Sequence, residues 1–381
     1  MKKLLLSLLF VCLAVSMVFA QGAPEKEVVK DTIAVSIPIT GNNAQYGVSY
    51  KNAIELAVEK FNAAGGLNGT PVKIEWFDDA GDKVQATNIA NKIAEMPNVF
   101  AFIGSYGSTV SLPMCNILQE ARIPVLSPNT SHPDYFSVGD MMMPISARAD
   151  NCFNEVGNVL IKDYAPKKVG MIYENNDSGV ENTRVIGAKM TSQGIPFESA
   201  PFVAAETHDF TPIITSIMTS NPDLVVICTT YQSAAEIIMQ TRQLGYDKVT
   251  LVCIGSAVKP QILGLAGAYG NGVVFCTTQR LYTADILADN DYGEYVENLY
   301  AEYVKKYNIE FDGPASFAYD AAVLACDAAK NVGTNDPVAF INYCKQLKPE
   351  LCSGGAWFEG DEFYRTVYSF KIENGKFVFL H

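Results

Sequence analysis

The sequence predicts an α/β protein made of two doubly wound parallel-sheet lobes joined by three crossover segments. Three observations lead to this fold class. Short apolar runs alternate with helical apolar stripes along most of the chain, and this alternation restarts after about residue 147. A stretch of helices without intervening strands then follows residue 279. The chain of 381 residues is also too long for one hydrophobic core.

The first twenty residues are expected to be a cleaved signal peptide. Lys2 and Lys3 precede an apolar run over residues 4–19, and small residues up to Ala20 supply a cleavage position. A single anchoring helix is the alternative, but the run is short for a membrane span and no basic cluster follows it. We therefore expect an exported protein, either periplasmic or extracellular.

Four short segments predict the strands of the first lobe, and one of them, residues 99–103, is a continuous apolar run typical of a strand buried on both faces. Between the first two segments, Ile54, Ala57, Val58 and Phe61 form one apolar stripe at helical spacing. The predicted strands cover residues 32–39, 72–77, 99–103 and 123–126, with further helices over 83–94 and 110–121. Residues 141–146 are predicted to be a bridging segment.

The second lobe repeats this alternation. Its predicted strands cover residues 168–173, 197–203, 224–229, 249–254 and 273–277, and its predicted helices cover 180–192, 211–219 and 233–244.

The last hundred residues are expected to return to both lobes. Helices over 293–307, 315–331 and 336–346 would cover the first lobe, and a hairpin of 365–371 and 376–380 would turn at Asn374-Gly375. Three crossings between the lobes result, and such a cleft can close around a ligand. The predicted boundaries are residues 30–147 plus 279–352 for the first lobe and 148–278 plus 353–381 for the second.

Composition restricts the function classes. The net charge is −13, and removal of Lys2 and Lys3 deepens it by two, which argues against a nucleic-acid or anionic-membrane partner. The nine cysteines and three histidines show no metal-ligand spacing, so we expect neither a metal nor a cofactor. Cys344 and Cys352 flank a short loop and are the candidates for a disulfide, whereas the remaining thiols are interpreted as buried core residues.

Two loops rich in hydroxyl groups are expected at one edge of the first sheet. Residues 104–109 follow an apolar strand and place Ser108 at the predicted N-cap of a helix, and residues 127–133 form the second loop. Hydroxyls and free helix N–H groups could hold a carboxylate there, although an ordinary strand-to-helix turn explains the first loop equally well. The acidic residues Asp78, Asp79 and Asp82 are interpreted as a helix-capping loop, because a metal site needs more converging ligands.

The chain resembles the type I periplasmic binding proteins, specifically the branched-chain amino-acid group of ABC-transporter solute receptors. The resemblance extends from about Thr32 over nearly all of the chain. Its motifs are Pro38-Ile39-Thr40-Gly41, Ala44-Gln45-Tyr46-Gly47, residues 62–69, Asp78-Asp79-Ala80, Ile103-Gly104-Ser105, residues 123–128 and Phe317-Ala318-Tyr319-Asp320-Ala321.

This resemblance implies where a ligand would bind. Ser108, with Thr130 and Ser131, corresponds to the residues that hold the ligand α-carboxylate in amino-acid-binding members, and Tyr46 corresponds to an aromatic residue that packs over the ligand. Tyr231 and Gln232 are candidates for the opposite wall, although Tyr231 could equally be interface packing. The complete predicted ligand-binding set is Tyr46, Ser105, Tyr106, Ser108, Asn129, Thr130, Ser131, Ser178, Tyr231 and Ser256.

Departures from the family pattern concern the ligand ammonium and the second-lobe wall. The acidic residue that holds the ammonium in the family maps to Gly255 or Ser256, and the second-lobe aromatic residue maps near Ser178. Glu174 or Asp320 could supply the missing carboxylate, with a surface cap and a buried helix carboxylate as their alternative roles. The remaining departures are a family cysteine pair that maps to Gly81 and Gly107, and a crossover arginine that maps to about Ile145, with Arg148 nearby.

The resemblance implies a receptor, acting as a monomer, that captures an amino acid or a related small polar carboxylate or amide and delivers it to the membrane permease of an ABC transporter. A sensory binding protein that signals through a membrane partner is the second hypothesis. A secreted α/β enzyme is the third, but the sequence lacks a Gly-x-Ser-x-Gly elbow and a usable histidine arrangement.

Overall fold

The computed structural model describes residues 28–204 and 206–381. The predicted signal peptide, residues 1–20, lies outside the described residues. The described part of the chain forms two α/β lobes, as the sequence predicts, together with one small separate hairpin. Among its helices, none combines the length and the apolar character needed to cross a membrane.

The first lobe is built on five parallel strands in the spatial order β2-β1-β3-β4-β5. Four of them are buried along their whole length, which accounts for their mostly apolar sequences. The strands are β1 (Thr32–Ile37), β2 (Lys73–Asp78), β3 (Val99–Gly104), β4 (Val125–Ser127) and β5 (Met142–Pro144).

Helices cover both faces of this sheet. The helices that follow its strands are α1 (Ala44–Ala63), α2 (Lys83–Ala94), α3 (Ser108–Glu120) and α4 (Pro133–Ser137). Asp82 caps α2, because its carboxylate accepts hydrogen bonds from the N–H groups of Val84 and Gln85 at 2.9 and 2.8 Å. This is the capping role that the sequence predicts for the acidic loop.

The second lobe contains a seven-stranded sheet in the order β14-β13-β10-β9-β8-β6-β7. Its strands are β6 (Val169–Glu174), β7 (Phe197–Phe202), β8 (Leu224–Cys228), β9 (Thr250–Ile254), β10 (Val274–Thr277), β13 (Tyr368–Glu373) and β14 (Lys376–Phe379). The first five are parallel, whereas β13 and β14 run antiparallel. Its helices are α5 (Ala149–Tyr164), α6 (Asp177–Ser192), α7 (Thr211–Thr219), α8 (Tyr231–Gln243), α9 (Ile262–Ala266) and α10 (Ala284–Asp289).

The chain passes between the two sheets three times. It leaves the first sheet after β5, returns after β10 through α11 (Glu294–Tyr307), α12 (Gly313–Val332) and α13 (Pro337–Cys344), and finally enters β13 of the second sheet. The return is anchored by α12, which is buried along most of its length and packs against α1. The third crossing contacts the other two, because Arg365 donates to the Ile145 carbonyl oxygen and Arg280 donates to the Tyr368 hydroxyl.

Two predictions for the connecting segments need correction. Residues 141–146 are more than a bridge, because Met142–Pro144 pairs in parallel with β4 and extends the first sheet. The predicted strand over 365–371 begins only at Tyr368, because Glu362–Arg365 belongs to a separate hairpin, β12, paired with β11 (Ala356–Glu359). Arg365 ties this hairpin to the first crossing by donating to the Ile145 carbonyl oxygen.

The predicted disulfide is absent, and the eight cysteines of the described residues are all free and buried. The thiol of Cys344 donates toward the Leu324 carbonyl oxygen, and that of Cys352 donates toward the Ser316 carbonyl oxygen. These carbonyl groups belong to α12 and are eight residues apart, about 12 Å along a helix. Each thiol therefore packs against a different turn, which keeps the two sulfur atoms apart.

A candidate ligand-binding site between the lobes

A cavity of about 250 Å³ lies between the lobes, where the carboxyl ends of both sets of parallel strands face one another. The first lobe and its crossings contribute Asn43, Gly81, Tyr106, Gly107, Ser108, Thr109, Val110, Asn129, Ser131, Ser146, Ala147 and Phe317. The second lobe and its crossings contribute Cys152, Phe153, Glu174, Asn176, Ser178, Gly179, Asn182, Cys228, Thr229, Thr230, Gly255, Ser256, Thr277, Thr278 and Gln279.

The N-terminus of α3 forms the first-lobe side of this cavity. Gly107, rather than the predicted Ser108, is the N-cap, and its φ of 87° is readily adopted only by glycine. The first backbone bond of the helix runs from the Ser111 N–H to the Gly107 carbonyl oxygen, so the N–H groups of residues 108–110 precede the helical ladder. Ser108 is the first helical residue, and its hydroxyl oxygen accepts from the His132 N–H at 3.3 Å.

A second helix N-terminus, that of α6, meets α3 across the cavity. The hydroxyl of Ser178 donates to the Ser108 hydroxyl at 3.2 Å, and the Asp177 N–H donates to the Thr109 hydroxyl at 3.4 Å. Both helices thus direct the positive ends of their dipoles toward one place, an arrangement that favours a bound anion.

Glu174 is the one charged side chain among the residues that line the cavity. It ends β6, and its carboxylate accepts a hydrogen bond from the Thr229 hydroxyl at 3.0 Å. Asp320, the other candidate for the carboxylate that binds the ligand ammonium, does not line the cavity. It is fully buried on α12 and accepts from the N–H groups of Cys352 and Ser353 at 2.9 and 3.0 Å.

Six of the ten predicted site residues line the cavity, namely Tyr106, Ser108, Asn129, Ser131, Ser178 and Ser256. Tyr46 and Tyr231 lie behind its wall, because the ring of Tyr46 stacks on Tyr106 with a centroid distance of 4.2 Å and packs edge-on against Tyr231. Burial raises the pKa of the Tyr46 hydroxyl well above its usual value, and this hydroxyl donates to the Ser256 carbonyl oxygen at 2.8 Å. Tyr46 therefore supports the wall and links the two lobes.

The other two predicted residues, Ser105 and Thr130, are also behind the wall and use their hydroxyls within the protein. Ser105 donates to the Asp79 carboxylate at 2.6 Å, and Thr130 is hydrogen-bonded to Ser127. Burial raises the pKa of the Asp79 carboxyl. Each hydroxyl stabilises the loop that carries its neighbours into the cavity.

Much of the second-lobe lining was absent from the sequence prediction. Thr229, Thr277 and Gln279 follow or end β8 and β10, so the rule that ligands bind at the carboxyl edge could have identified them. Asn182 and Phe153 lie within helices and carry no comparable signal in the sequence. Across the described residues, no group of three or more histidine, cysteine, aspartate or glutamate side chains is arranged to hold a metal ion.

Comparison with known proteins reveals one family and several relatives. A family model described as a periplasmic binding protein matches residues 31–376. An "amino acid binding protein" of Pseudomonas aeruginosa is 25% identical over 325 residues, which cover 84% of each chain. "Leu/Ile/Val-binding protein homolog 1" of Brucella suis is 26% identical over 321 residues, covering 83% of this chain and 82% of the relative.

Solved structures share the two-lobed fold. The leucine-binding protein LivK of Thermotoga maritima superposes with a TM-score of 0.81 at 22% identity, covering 92% of this chain and 97% of that one. LivJ of Streptococcus pneumoniae, solved with isoleucine, gives 0.79 at 22% identity, covering 91% and 97%. A solute-binding protein of R. palustris, solved with benzoate, gives 0.81 at 19% identity, covering 92% and 95%. Proteins of this fold thus hold different small molecules.

Proposed function

The chain belongs to the periplasmic binding protein family, and from this premise we propose that it captures an amino acid, or a related small polar carboxylate or amide, and delivers it to the permease of an ABC transporter. The relatives and structural neighbours are binding proteins of transporters rather than enzymes. The proposal includes export after cleavage near Ala20 and action as a monomer.

The observation that carries the proposal is the distribution of charge in the cavity. Two helix N-termini, at Ser108 and Ser178, provide partial positive charge and N–H donors on one side. Glu174 provides the single full negative charge among the lining residues. A zwitterion with a carboxylate and an ammonium complements both features.

This distribution also ranks the ligand classes. A carboxylate without an ammonium, such as the benzoate held by the R. palustris neighbour, would leave Glu174 without a counter-charge and would be repelled by it. No lysine, arginine or histidine lines the described cavity to offset that repulsion. We therefore place α-amino acids first, their amides second and simple carboxylates last.

Contacts across the cavity support capture by lobe closure. Ser178 donates a hydrogen bond to Ser108, and Tyr46 donates one to the backbone of Ser256, so the two lobes are in contact beside the cavity in the described conformation. We propose that residues 30–147 plus 279–352 move as one lobe and residues 148–278 plus 353–381 as the other. The three crossings between the lobes are a suitable hinge for such a motion.

Titration calorimetry against a panel of amino acids, amino-acid amides and small carboxylates tests the proposal. Ser108→Ala is expected to weaken binding of the best ligand about five- to ten-fold, because one hydroxyl contact to its carboxylate is lost. Ser192→Ala, at the exposed C-terminal end of α6, is the matched control and should leave the affinity unchanged. Equal affinity of Ser108→Ala and the unaltered protein would contradict the assigned carboxylate position.

Absence of binding by every amino acid, amide and small polar carboxylate in the panel would refute the proposed ligand class. Mass spectrometry of small molecules retained through gentle purification supplies an independent reading. Recovery of an α-amino acid supports the proposal, whereas recovery of a simple aromatic acid contradicts it.

A further inference from the structure

The lining of the cavity is unexpectedly polar for a binding protein whose relatives are named for leucine, isoleucine and valine. Ser146, on the first crossing, and Gln279, on the second, line it together with Asn182 of α6 and Thr277 at the end of β10. These hydroxyl and amide groups can form hydrogen bonds that an aliphatic ligand side chain could not satisfy.

Three of these residues have polar atoms without a hydrogen-bond partner in the described part of the protein. They are the Ser146 hydroxyl oxygen, the Asn182 Oδ1 atom and the Gln279 Oε1 atom. The three residues are only 4%, 4% and 6% exposed, respectively. Buried polar groups in native proteins are nearly always paired, so unpaired ones that border a cavity indicate a missing partner.

The Asn182 and Gln279 side chains are held by different neighbours. The Asn182 Nδ2 group donates to the Cys228 sulfur at 3.5 Å, and a thiol is a weak acceptor. The Gln279 side chain packs against Gly313, where an added Cβ would lie 2.4 Å from Oε1. Glycine at position 313 therefore leaves room for the Gln279 amide beside the first turn of α12.

We propose that the ligand side chain carries a hydrogen-bond donor, an amide or a hydroxyl, that is bound by Asn182 and Gln279. The inference rests on the proposed function, since it assumes an amino acid whose carboxylate lies at the N-terminus of α3. It assigns the ligand to the polar uncharged amino acids and separates this chain from receptors for branched aliphatic ones. The principle is that a site built to bond a donor discriminates strongly against the analogue that lacks it.

Pairs of amino acids with the same shape test this inference directly. Threonine and valine differ by one hydroxyl in place of a methyl group, and asparagine and leucine differ by an amide in place of an isopropyl group. Calorimetry on the mature protein should give at least about ten-fold tighter binding for the polar member of one or both pairs. Alanine, which lacks the side-chain group, reports on the carboxylate and ammonium contacts alone.

Two variants locate the preference in the protein. Asn182→Leu and Gln279→Met should each reduce the polar-to-aliphatic ratio to within about three-fold. Asn158→Leu, at a partly exposed position of α5 outside the cavity lining, is the matched control and should keep the ratio of the unaltered protein.

The outcomes separate this inference from the proposed function. If alanine binds but valine and leucine bind as tightly as threonine and asparagine, ordered water satisfies the amides and the inference is overturned while the proposed function stands. A preserved ratio in both variants also overturns it. If no amino acid binds, the proposed function and the inference fall together.

Discussion

Lys259 and Asp312 form a buried ion pair that joins the two lobes, with the Nζ atom 2.8 Å from the Oδ2 atom and both side chains at most 2% exposed. Lys259 follows β9 of the second lobe, whereas Asp312 caps α12, which packs on the first. The ammonium also donates to the Ser49 hydroxyl at 3.1 Å and to the Gln45 carbonyl oxygen at 3.3 Å, both on α1. Every hydrogen-bond acceptor of this lysine in the described structure therefore belongs to the opposite lobe.

Removal of the lysine charge is expected to favour the open form. In Lys259→Met, Asp312 would remain buried without its partner, which costs about 3 kcal/mol in the closed conformation. Opening of the lobes hydrates that carboxylate and relieves the cost. The ligand-free variant should therefore show a larger radius of gyration by small-angle X-ray scattering, together with weaker ligand binding.

The double variant Lys259→Met/Asp312→Asn is the control for this prediction. An asparagine oxygen can still accept from the Ala315 N–H and cap α12, so the helix is preserved while the unpaired charge is removed. Its radius of gyration should return toward that of the unaltered protein. A single variant that is as compact as the unaltered protein would show that the pair does not govern closure.

Glu174→Gln is expected to weaken amino-acid binding about 100-fold, which corresponds to about 2.8 kcal/mol. The amide keeps the shape of the side chain and the hydrogen bond from Thr229 but removes the negative charge. The loss should be much smaller for a ligand without an ammonium group, and calorimetry with both ligands measures the difference. Glu198→Gln on the surface strand β7 supplies a control charge removal away from the cavity. An equal loss for both ligands would exclude Glu174 as the ammonium partner.

The sheets and most helices could be predicted because their signals are local. Strands such as Thr32–Ile37 and Val99–Gly104 are buried on both faces, and most of their residues are apolar. The hairpin β11–β12 escaped prediction because each of its strands has only four residues and neither forms a continuous apolar run. Its signal was the two-residue turn at Gly360-Asp361, where glycine adopts a φ of 62°.

The cavity was only half predictable, because many of its contacts join residues far apart in the chain. The loop containing Ser108 is predictable because it follows a recognisable strand-to-helix pattern. The stacking of Tyr46 on Tyr106, which removes Tyr46 from the cavity, depends on how α1 packs beside that loop. The ion pair between Lys259 and Asp312 spans two lobes and has no local signal at all.

The cysteines are expected to remain reduced even in the oxidising compartment that the proposed export would reach. All eight in the described chain are buried, and burial raises the pKa of thiols such as Cys115 and Cys152 to about 12, so the reactive thiolate is scarce at neutral pH. Alkylation followed by mass spectrometry should label none of them in the folded protein and all eight after denaturation. A protected pair at Cys344 and Cys352 in the denatured, unreduced protein would restore the disulfide hypothesis.

Asp79→Asn is expected to flatten the pH dependence of stability. Burial raises the folded-state pKa of Asp79 above the usual 3.8, so the folded state binds more protons than the unfolded state as pH rises from about 4. The free energy of unfolding therefore decreases through that window, and an amide removes the effect. The amide can also be satisfied in place, since its oxygen accepts from the Gly81 N–H and its NH₂ group donates to the hydroxyls of Ser36 and Ser105. Denaturant unfolding at pH 4 and pH 7 measures the change in slope, and an unchanged slope would contradict the assignment.

Asp320→Asn is expected to destabilise the protein, unlike Asp79→Asn, although burial raises the pKa of both carboxyl groups. One of its oxygens accepts from the Cys352 N–H and the other from the Ser353 N–H, so an amide NH₂ group must face one of these donors. The positive charge of Arg365, buried beside it, would also lose its nearby carboxylate. We expect a loss of about 3 kcal/mol in the free energy of unfolding at pH 7, measured by the same denaturant titration. The two substitutions thus differ in effect because the hydrogen-bond donors differ. The hydroxyl groups around Asp79 can become acceptors for an amide, whereas the backbone N–H groups around Asp320 can only donate.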